Sequence, residues 1–500
     1  MDLDADQCYR AVTSHDARFD GRFFVGVGTT GIYCRPVCTA KTPLRKNCRF
    51  FPSAAAAEVQ GYRPCLRCRP ELAPGYAAVD ANRRLAQSAA GLIEDGRLQD
   101  ASLADLAGSL EVTDRHLRRV FQQEFGVSPV EYAQTQRLLL AKRLLTDTGL
   151  SVLDVAMASG FASLRRFNDL FRARYRMTPG ELRRSLPARA SSDVLAFDLA
   201  YRPPYDWEAM LAFLAKRAIV GVEAVDGKRY RRTIRIARAK LDPRLRGDDR
   251  NGGGGRNDGS DFVAGWIEVV PSPKRTALRL LASASLASAT PIVLARVKSL
   301  FDLACRPDDI AQALGPLAKD HPGLRLPGAI DGFEIAVRAI LGQQVTVKAA
   351  ATLAARFVKA FGEPVETPHA GLERTFPRPA TIAALDHSSI AELGIIANRA
   401  RAIVALAGEI ARGRLSLEPS SGVEATVGAL ERLPGVGPWT AQYIAMRALA
   451  WPDAFPHPDV AVLKAMRETN GRRALERANA WRPWRAYAVI HLWKSLEKTP

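Results

Sequence analysis

The pattern of apolar and polar residues divides the chain into four blocks. Residues 1–75 hold short apolar runs broken by Gly, Pro and Cys, which is typical of a small unit stapled by a metal. Residues 80–187 predict nearly continuous helix, because apolar positions recur at helical spacing. Residues 193–320 mix strand-like pieces such as "TIRIA" and "GWIEVV" with helices, and residues 325–500 return to a helical pattern. The pattern therefore predicts a multidomain, mainly α chain with α+β parts.

An internal repeat lies inside the second block. "SLADLAGSLEVTDRHLRRVFQQEFGVSP" at 102–129 returns at 151–179 as "SVLDVAMASGFASLRRFNDLFRARYRMTP". Each copy predicts a short helix, a turn and an amphipathic second helix that carries arginines, which is a helix-turn-helix pattern. We predict the second helices at roughly 113–124 and 162–173, with Leu164 among the core residues.

The net charge of the chain indicates the class of its partner. The 71 Lys and Arg residues outnumber the 52 Asp and Glu residues, which gives a net charge of +19 and favours a polyanionic partner. Charge alone does not separate DNA from RNA or a membrane surface. The chain has no run of apolar residues that would span a membrane, and its start lacks the basic and apolar blocks of a signal peptide. We therefore expect a cytoplasmic protein without disulfides or a membrane partner.

Four cysteines stand in two closely spaced pairs. Three residues separate Cys34 from Cys38, and two residues separate Cys65 from Cys68. Such pairs each bring two thiolates to one metal ion, and two pairs complete a tetrahedral zinc site. The spacing therefore predicts one bound Zn²⁺.

The surroundings of these cysteines leave two interpretations open. One is a purely structural staple, and the other is a staple whose electron-rich thiolates also react with an alkyl group, such as the methyl of a DNA phosphotriester. Basic residues that suit a phosphate crowd the site, namely Arg35, Lys41, Arg45, Lys46 and Arg49. The remaining cysteines are predicted to be plain buried thiols, namely Cys8, Cys48 and Cys305.

The segment "GIYCRPVCTAKTPLRKNCRFFPSAAAAEVQGYRPCLRCRPE" resembles the Ada-type zinc domain of the DNA alkylation response. In that family the first cysteine of the first pair accepts the methyl group irreversibly. The matching position here is Cys34, which the resemblance makes both a zinc ligand and a stoichiometric methyl acceptor. Among the basic residues around the cysteines, we expect Arg35 and Arg45 to contact DNA.

The repeated segments resemble the AraC-type transcription-regulator domain, which follows the zinc unit in Ada-type proteins. The resemblance implies sequence-specific binding of double-stranded DNA, with RNA polymerase as a partner during activation. The sequence does not decide whether each arginine contacts a base, contacts a phosphate or lies on a solvated face. The candidate contacts are Thr113, Arg115, His116, Ser163, Arg165 and Arg166.

The segment "LERLPGVGPWTAQYIAMRALA" at 430–450 predicts two helices joined by a glycine turn, with the first helix ending at Leu433. Glycines let backbone amides approach a phosphate at the start of the second helix. The segment resembles the helix-hairpin-helix of DNA repair glycosylases. That resemblance implies that Gly435, Gly437 and Thr440 hold the DNA backbone, together with a monovalent cation.

Asp459 follows the hairpin in "FPHPDVAVLKAM". The residues alone predict the N-cap of a helix, where the helix dipole stabilises a carboxylate anion. In the glycosylase superfamily an aspartate at this place is catalytic. The implied reaction is hydrolysis of the N-glycosidic bond of an alkylated purine, with the anion of Asp459 stabilising positive charge on the deoxyribose or orienting water.

Trp439 occupies the hairpin position at which bifunctional relatives carry a lysine that attacks the sugar. Tryptophan cannot form a Schiff base, so we expect a monofunctional enzyme. An indole can instead stack on a cationic base. Resemblance to the AlkA-type 3-methyladenine glycosylases implies that Trp439, Tyr443 and Trp493 line the base pocket, while plain core positions remain the alternative.

The segment "RAILGQQVTVKAA" at 338–350 resembles the part of these glycosylases that enters the gap left by a flipped base. The apolar wedge position of the family is Gln344 here, with Gln343 before it. We predict that both bind DNA, with hydrogen bonding in place of apolar contact. A second departure is Val460, where relatives carry an aromatic residue.

Together the resemblances predict four domains. They are an Ada-type zinc domain (1–78), an AraC-type double helix-turn-helix domain (79–187), a mostly architectural AlkA-type N-terminal α/β domain (193–320) and an all-α helix-hairpin-helix glycosylase domain (321–500). The glycine-rich stretch at about 240–261 predicts a disordered insertion. The expected function is a DNA-3-methyladenine glycosylase II fused to a methyl-accepting regulator. The alternatives are a glycosylase with a front half that only tethers DNA, and a regulator whose back half has lost catalysis.

Overall fold

The computed structural model describes most of the chain in two compact units. The described residues are 5–15, 19, 23–51, 54–68, 70, 81–94, 98, 102–185, 194–237, 262–273, 275–419 and 422–497. The insertion predicted at about 240–261 lies outside them. The first unit comprises Met1–Gly91 and Leu110–Glu131, and the second comprises Leu92–Ser109 and Tyr132–Pro500. Within the described part, every helix is too short or too polar to cross a lipid bilayer.

Helices dominate the described residues, and strands occur in two groups. The helices are α1 (Ala5–Thr13), α2 (Ala54–Val59), α3 (Ala81–Glu94), α4 (Leu103–Ser109), α5 (Asp114–Phe125), α6 (Pro129–Asp147), α7 (Val152–Ala158), α8 (Leu164–Tyr175), α9 (Pro179–Arg184), α10 (Trp207–Ala215), α11 (Thr290–Leu300), α12 (Pro307–Leu314), α13 (Gly332–Leu341), α14 (Val347–Phe361), α15 (Pro379–Ala383), α16 (His387–Ala391), α17 (Ala397–Ala411), α18 (Val423–Glu431), α19 (Pro438–Arg447), α20 (Val460–Met466), α21 (Gly471–Ala478) and α22 (Arg485–Ser495). The strands are β1 (Phe24–Val27), β2 (Ile32–Cys34), β3 (Cys48–Phe51), β4 (Arg63–Pro64), β5 (Val194–Ala200), β6 (Glu223–Asp226), β7 (Arg229–Ala237), β8 (Phe262–Pro271) and β9 (Ala277–Ser283).

The first unit contains a small sheet in the order β3-β1-β2-β4. Strands β3, β1 and β2 pair antiparallel, whereas β2 and β4 pair in parallel. Successive side chains of a strand point to opposite faces, and β1 follows this rule. Val25 packs in the cluster that holds the cysteine pairs, while Phe24 packs on the other side against Tyr33 and Phe51. The sheet thus separates the cysteines from a small aromatic core.

The two predicted recognition helices are α5 and α8, each beginning one or two residues later than predicted. Their starts are fixed by hydroxyl N-caps, since Thr113 accepts from the His116 amide and Ser163 from the Arg166 amide. The prediction that Leu164 is a core residue is wrong. It is the first residue of α8 and is 37% exposed, because the buried face of this helix is formed by residues such as Phe167.

The second unit is built around a sheet in the order β5-β9-β8-β7-β6, with every neighbouring pair antiparallel. The two strands predicted from "TIRIA" and "GWIEVV" are confirmed in β7 and β8. Alternate residues of β5 face inward, as shown by the buried Phe197. Phe197 belongs to the same apolar core as Phe167 and Phe171 of α8.

Helices α12 to α22 contribute to two further apolar cores. Helix α13 is buried along most of its length and packs against α17 and α19. The other core joins α12, α20 and α22 to the inner face of α19. Helix α19 therefore contributes to both cores, and this fixes the orientation of the residues at its start.

A buried ionic network ties the sheet to α13. Glu334 accepts from Arg232 Nη2 at 2.6 Å and from Arg338 Nη1 at 2.9 Å, and Arg338 also donates to Glu223 at 2.8 Å. Each of these four side chains is at most 15% exposed to solvent. Such groups are stable only as a paired set, because an unpaired buried charge is costly.

Replacing Glu334 with Ala removes the acceptor of two buried guanidinium groups. We expect the free energy of unfolding of the second unit to fall by about 3–5 kcal/mol in urea titrations followed by tryptophan fluorescence. The control is Glu418→Ala, whose carboxylate is 48% exposed and lies 3.0 Å from Arg296. It should cost less than about 1 kcal/mol. Equal, small losses in both variants would contradict the importance of the buried network.

Candidate metal centre and active site

The four predicted cysteine ligands come together in the first unit. Their sulfur atoms all lie within 4.8 Å of one another, and all four residues are buried. The parallel pairing of Tyr33 with Pro64 places Cys34 beside Cys65, because each cysteine directly follows its strand partner. The chain then turns, so that Cys38 returns to Cys34. A hydrogen bond of 3.1 Å from the Cys38 amide to the Arg35 carbonyl closes this turn.

This donor set fits a zinc ion. Thiolates held about 2.3 Å from Zn²⁺ lie roughly 3.8 Å apart at the corners of a tetrahedron. Hydrogen bonds among the sulfurs, together with burial, raise the pKa of Cys34, and the bonds from Cys34 and Cys68 lower the pKa of Cys38 to about 2. Four thiolates held this close together need a cation to balance their charge, and Zn²⁺ supplies it.

The two arginines predicted to contact DNA near this cluster differ in exposure. Arg35 is fully buried, and its guanidinium donates to the Cys68 carbonyl at 3.2 Å. Its position braces the two cysteine pairs against each other and leaves no surface for a phosphate. The Arg45 side chain is 39% exposed and donates to Asp6 at 3.1 and 3.2 Å.

The other predicted DNA contacts of the front half lie in the first turns of α5 and α8. Arg115, Arg165 and Arg166 are exposed, and His116 is half-buried. The His116 ring lies 3.1 Å from Arg119 Nη2, and Arg165 lies 4.0 Å from Asp169. These weak surface contacts leave the side chains able to rearrange on a nucleic acid.

The second unit contains a cleft of about 1400 Å³ with Asp459 in its wall. As predicted, Asp459 is the N-cap of α20, and its Oδ1 accepts from the Val462 amide at 2.9 Å. Trp493 Nε1 donates to the same oxygen at 3.1 Å, and Trp439 Nε1 donates to Oδ2 at 2.8 Å. Both carboxylate oxygens are therefore held in fixed positions by N–H donors.

The hairpin positions Trp439. Helix α18 ends at Glu431, two residues before the predicted end, and α19 begins at Pro438. Between them Gly435 has a φ of 78°, a conformation that glycine adopts without strain. Trp439 is the second residue of α19, and the ring of Tyr443, one turn later, stacks on it at 5.3 Å with an interplanar angle of 19°.

The two predicted DNA-binding glutamines have different surroundings. Gln343 Nε2 donates to the Gly435 carbonyl at 2.8 Å and to Thr440 Oγ1 at 2.9 Å, so its amide joins the α13–α14 loop to the hairpin. Thr440 itself is only 2% exposed. Gln344 is exposed at the cleft and has a φ of 53°, which is unusual for a residue with a side chain. Gly437 also lines the cleft.

Sequence reasoning missed part of the cleft wall. Phe213 of α10 faces Trp493 with a centroid separation of 6.4 Å and an interplanar angle of 16°. The Arg217 guanidinium carbon lies 3.7 Å from the centre of the Phe213 ring. Both residues belong to the block that the sequence treated as mostly architectural, and no local motif marks them. Only the tertiary fold brings α10 to the cleft.

Guanidinium groups surround the Tyr443 hydroxyl. Arg447 Nη1 donates to Tyr443 Oη at 2.8 Å. Burial by itself raises the pKa of Tyr443, but the charges of Arg447, Arg217 and Arg338 outweigh it and lower the pKa below its ordinary value. Arg217 and Arg338 also line the cleft, so positive charge lies close to the Tyr443 hydroxyl.

Four family models match the chain, one after another. They are described as "Metal binding domain of Ada" (7–71), "Helix-turn-helix domain" (106–185), "AlkA N-terminal domain" (196–331) and "HhH-GPD superfamily base excision DNA repair protein" (337–484). The chain is also 38% identical to the Mycobacterium tuberculosis "Probable bifunctional transcriptional activator/DNA repair enzyme AlkA" over 514 residues, covering 99% of this chain and 97% of that protein. The chain belongs to this AlkA-type bifunctional family.

Two Escherichia coli proteins are similar to parts of the AlkA-type chain. DNA-3-methyladenine glycosylase 2 is 34% identical, covering 59% of this chain and 96% of that protein. The bifunctional transcriptional activator/DNA repair enzyme Ada is 34% identical, covering 32% of this chain and 43% of that protein. As an AlkA-type bifunctional protein, the chain joins a DNA repair glycosylase to a regulator with a helix-turn-helix domain and a zinc-binding four-cysteine cluster. The boundaries of the four domains stay predictions.

The cysteine cluster predicts one zinc per chain. Because all four sulfurs share one centre, Cys68→Ala should lower the bound zinc, measured by atomic emission on purified protein, from one equivalent to a small fraction. Cys305→Ala is the control, since this buried thiol lies in the second unit. Full zinc content in Cys68→Ala, or an equal loss in Cys305→Ala, would contradict the assignment.

Proposed function

We propose that the second unit is a monofunctional DNA-3-methyladenine glycosylase in which Asp459 is the catalytic carboxylate. The observation that carries the proposal is the fixed position of both Asp459 oxygens in an aromatic cleft, held by two indoles and a helix N-terminus. The cleft of about 1400 Å³ has room for a flipped purine nucleotide. Trp439 in place of a lysine supports hydrolysis without strand cleavage.

In the proposed reaction the bond between C1′ and the purine nitrogen breaks, and its electron pair leaves with the base. Positive charge then develops on the deoxyribose, where the Asp459 anion stabilises it until water bonds to C1′ and releases a proton to the solvent. A purine alkylated at N3 or N7 is already cationic, so it departs as a neutral base without protonation by the enzyme. Trp439, Tyr443 and Trp493 supply aromatic surface for the base.

We propose that DNA binds to the side of the second unit that carries the Asp459 cleft. The amides that follow Gly435 and Gly437 face a phosphate at the start of α19, where the helix dipole favours an anion. Thr440 contributes through its hydrogen bond with Gln343, and exposed Gln344 fills the gap in the duplex. A monovalent cation at the hairpin remains a prediction.

We propose that the front half is an alkylation sensor. Cys34 takes a methyl group from a DNA methylphosphotriester: the S–CH3 bond forms as the O–CH3 bond breaks, and the DNA leaves as an ordinary phosphodiester anion. The thiolate ligand becomes a neutral thioether. One negative charge then disappears from the zinc cluster, so repulsion with phosphates falls and DNA affinity rises. Arg115, His116, Arg165 and Arg166 read promoter sites, and RNA polymerase is the partner of the DNA-bound activator. The alternative, a front half that only tethers DNA, predicts no effect of methylation.

The first test of the proposed function is base release by Asp459→Asn. Asn caps a helix as well as Asp does, so the substitution removes the charge and keeps the helix start. We expect the rate of 3-methyladenine release from alkylated duplex DNA to fall by roughly 10²- to 10⁴-fold in single-turnover assays.

A matched control separates the charge of Asp459 from general effects on helix capping. Asp386→Asn changes another N-cap aspartate of the same unit, one that is exposed and does not line the cleft. It should release the base at the wild-type rate. Unimpaired release by Asp459→Asn would refute the catalytic assignment.

The second test follows the methyl group. Incubation with duplex DNA that carries a methylphosphotriester should add the mass of one methyl to the protein, and peptide mapping should find it on Cys34. Cys48→Ala should accept the methyl as wild type does, because Cys48 lies near the cluster without belonging to it. A methyl on another cysteine, or none at all, would remove the sensor proposal while leaving the glycosylase proposal intact.

A further inference from the structure

Two guanidinium groups lie against the aromatic walls of the cleft. The Arg217 guanidinium carbon lies 3.7 Å from the centre of the Phe213 ring, and that of Arg447 lies 4.9 Å from it. Arg447 is also 5.7 Å from the centre of the Tyr443 ring. Within the described residues neither arginine forms an ion pair with a carboxylate, and the polar side chain that both contact is the Tyr443 hydroxyl.

The wall that Arg217 covers is one side of a slot. The rings of Phe213 and Trp493 are nearly parallel, with an interplanar angle of 16° and centroids 6.4 Å apart. A planar base stacked between two rings needs a separation of about 7 Å, which is twice the contact distance between carbon atoms. A small opening of the slot therefore admits a base, and Arg217 lines the same cleft.

This arrangement distinguishes bases by charge. A guanidinium against the Phe213 ring already uses the attraction of that ring for cations, so a cationic base stacked on the ring gains less from it. The two cations also repel each other. A neutral base does not meet this repulsion.

The charge that the base acquires as it leaves also makes Arg217 favour neutral bases. When the glycosidic bond breaks, the electron pair goes to the base nitrogen, so a cationic base leaves neutral and a neutral base leaves with a negative charge. A nearby guanidinium stabilises that negative charge as it develops. It gives no such help to a base that leaves neutral.

We propose that Arg217 sets the charge selectivity of the cleft, by disfavouring cationic alkylated bases and assisting the departure of neutral bases. This inference rests on the proposed glycosylase activity. Arg217 is a specificity-determining residue here, distinct from Asp459, which acts on the sugar of every substrate.

The test compares two duplexes that differ only in the lesion, one with cationic 7-methylguanine and one with neutral hypoxanthine. For Arg217→Leu we expect the ratio of kcat/KM, cationic over neutral, to rise by at least roughly tenfold relative to wild type, as removal of a unit charge at most about 7 Å from the base implies. Arg217→Lys retains the positive charge and should keep the ratio close to the wild-type value.

The comparison of two substrates separates a change in selectivity from a loss of folded protein. Both substrates are assayed with the same preparation, so a loss of folded protein cancels in the ratio. Arg275→Leu removes an exposed arginine that does not line the cleft and should leave the ratio unchanged. An unchanged or lower ratio in Arg217→Leu overturns the inference, as does an equal rise in Arg217→Lys. If wild type releases neither base, the proposed glycosylase function fails and this inference fails with it.

Discussion

The hydrogen bonding of the Asp459 carboxylate is the interaction on which the proposed chemistry of the second unit depends. Its three donors come from different places in the sequence: the first turn of its own helix, the start of α19 and the end of α22. Because α19 packs in two apolar cores, the position of its indole is set by the whole helical half of the unit. The fold thereby holds an anion still beside a cleft, which is what stabilisation of a developing cation requires.

The same helices couple this carboxylate to the surface that we propose binds DNA. Gln343 hydrogen-bonds both the Gly435 carbonyl and the Thr440 hydroxyl, so the loop that carries Gln344 is fixed to the hairpin. The segment leading to Asp459 is fixed in turn, since the Phe455 amide donates to Gln442 of α19 at 3.0 Å. A phosphate held at the hairpin, a glutamine in the duplex and a carboxylate at the sugar would therefore keep constant distances from one another.

Local sequence patterns predicted the features of the molecule that depend on local geometry. Cysteine spacing identified the metal ligands, and the residues after Asp459 identified it as an N-cap, because both features involve neighbours along the chain. The burial of Arg35 was not predictable, since a run of basic residues does not reveal which side chain turns inward. Phe213 and Arg217 were missed for a related reason. Their role arises from contact between α10 and α22, which are distant in sequence and share no motif.

The most direct measurement of the central claim compares wild-type affinity for two duplexes with a base-free site. One carries a cationic pyrrolidine in place of the sugar, as a mimic of the charged transition state, and the other a neutral tetrahydrofuran. If the Asp459 anion lies where the sugar charge develops, wild type binds the cationic duplex at least roughly tenfold more tightly, and Asp459→Asn loses this preference. Equal affinity of wild type for the two duplexes would contradict the account.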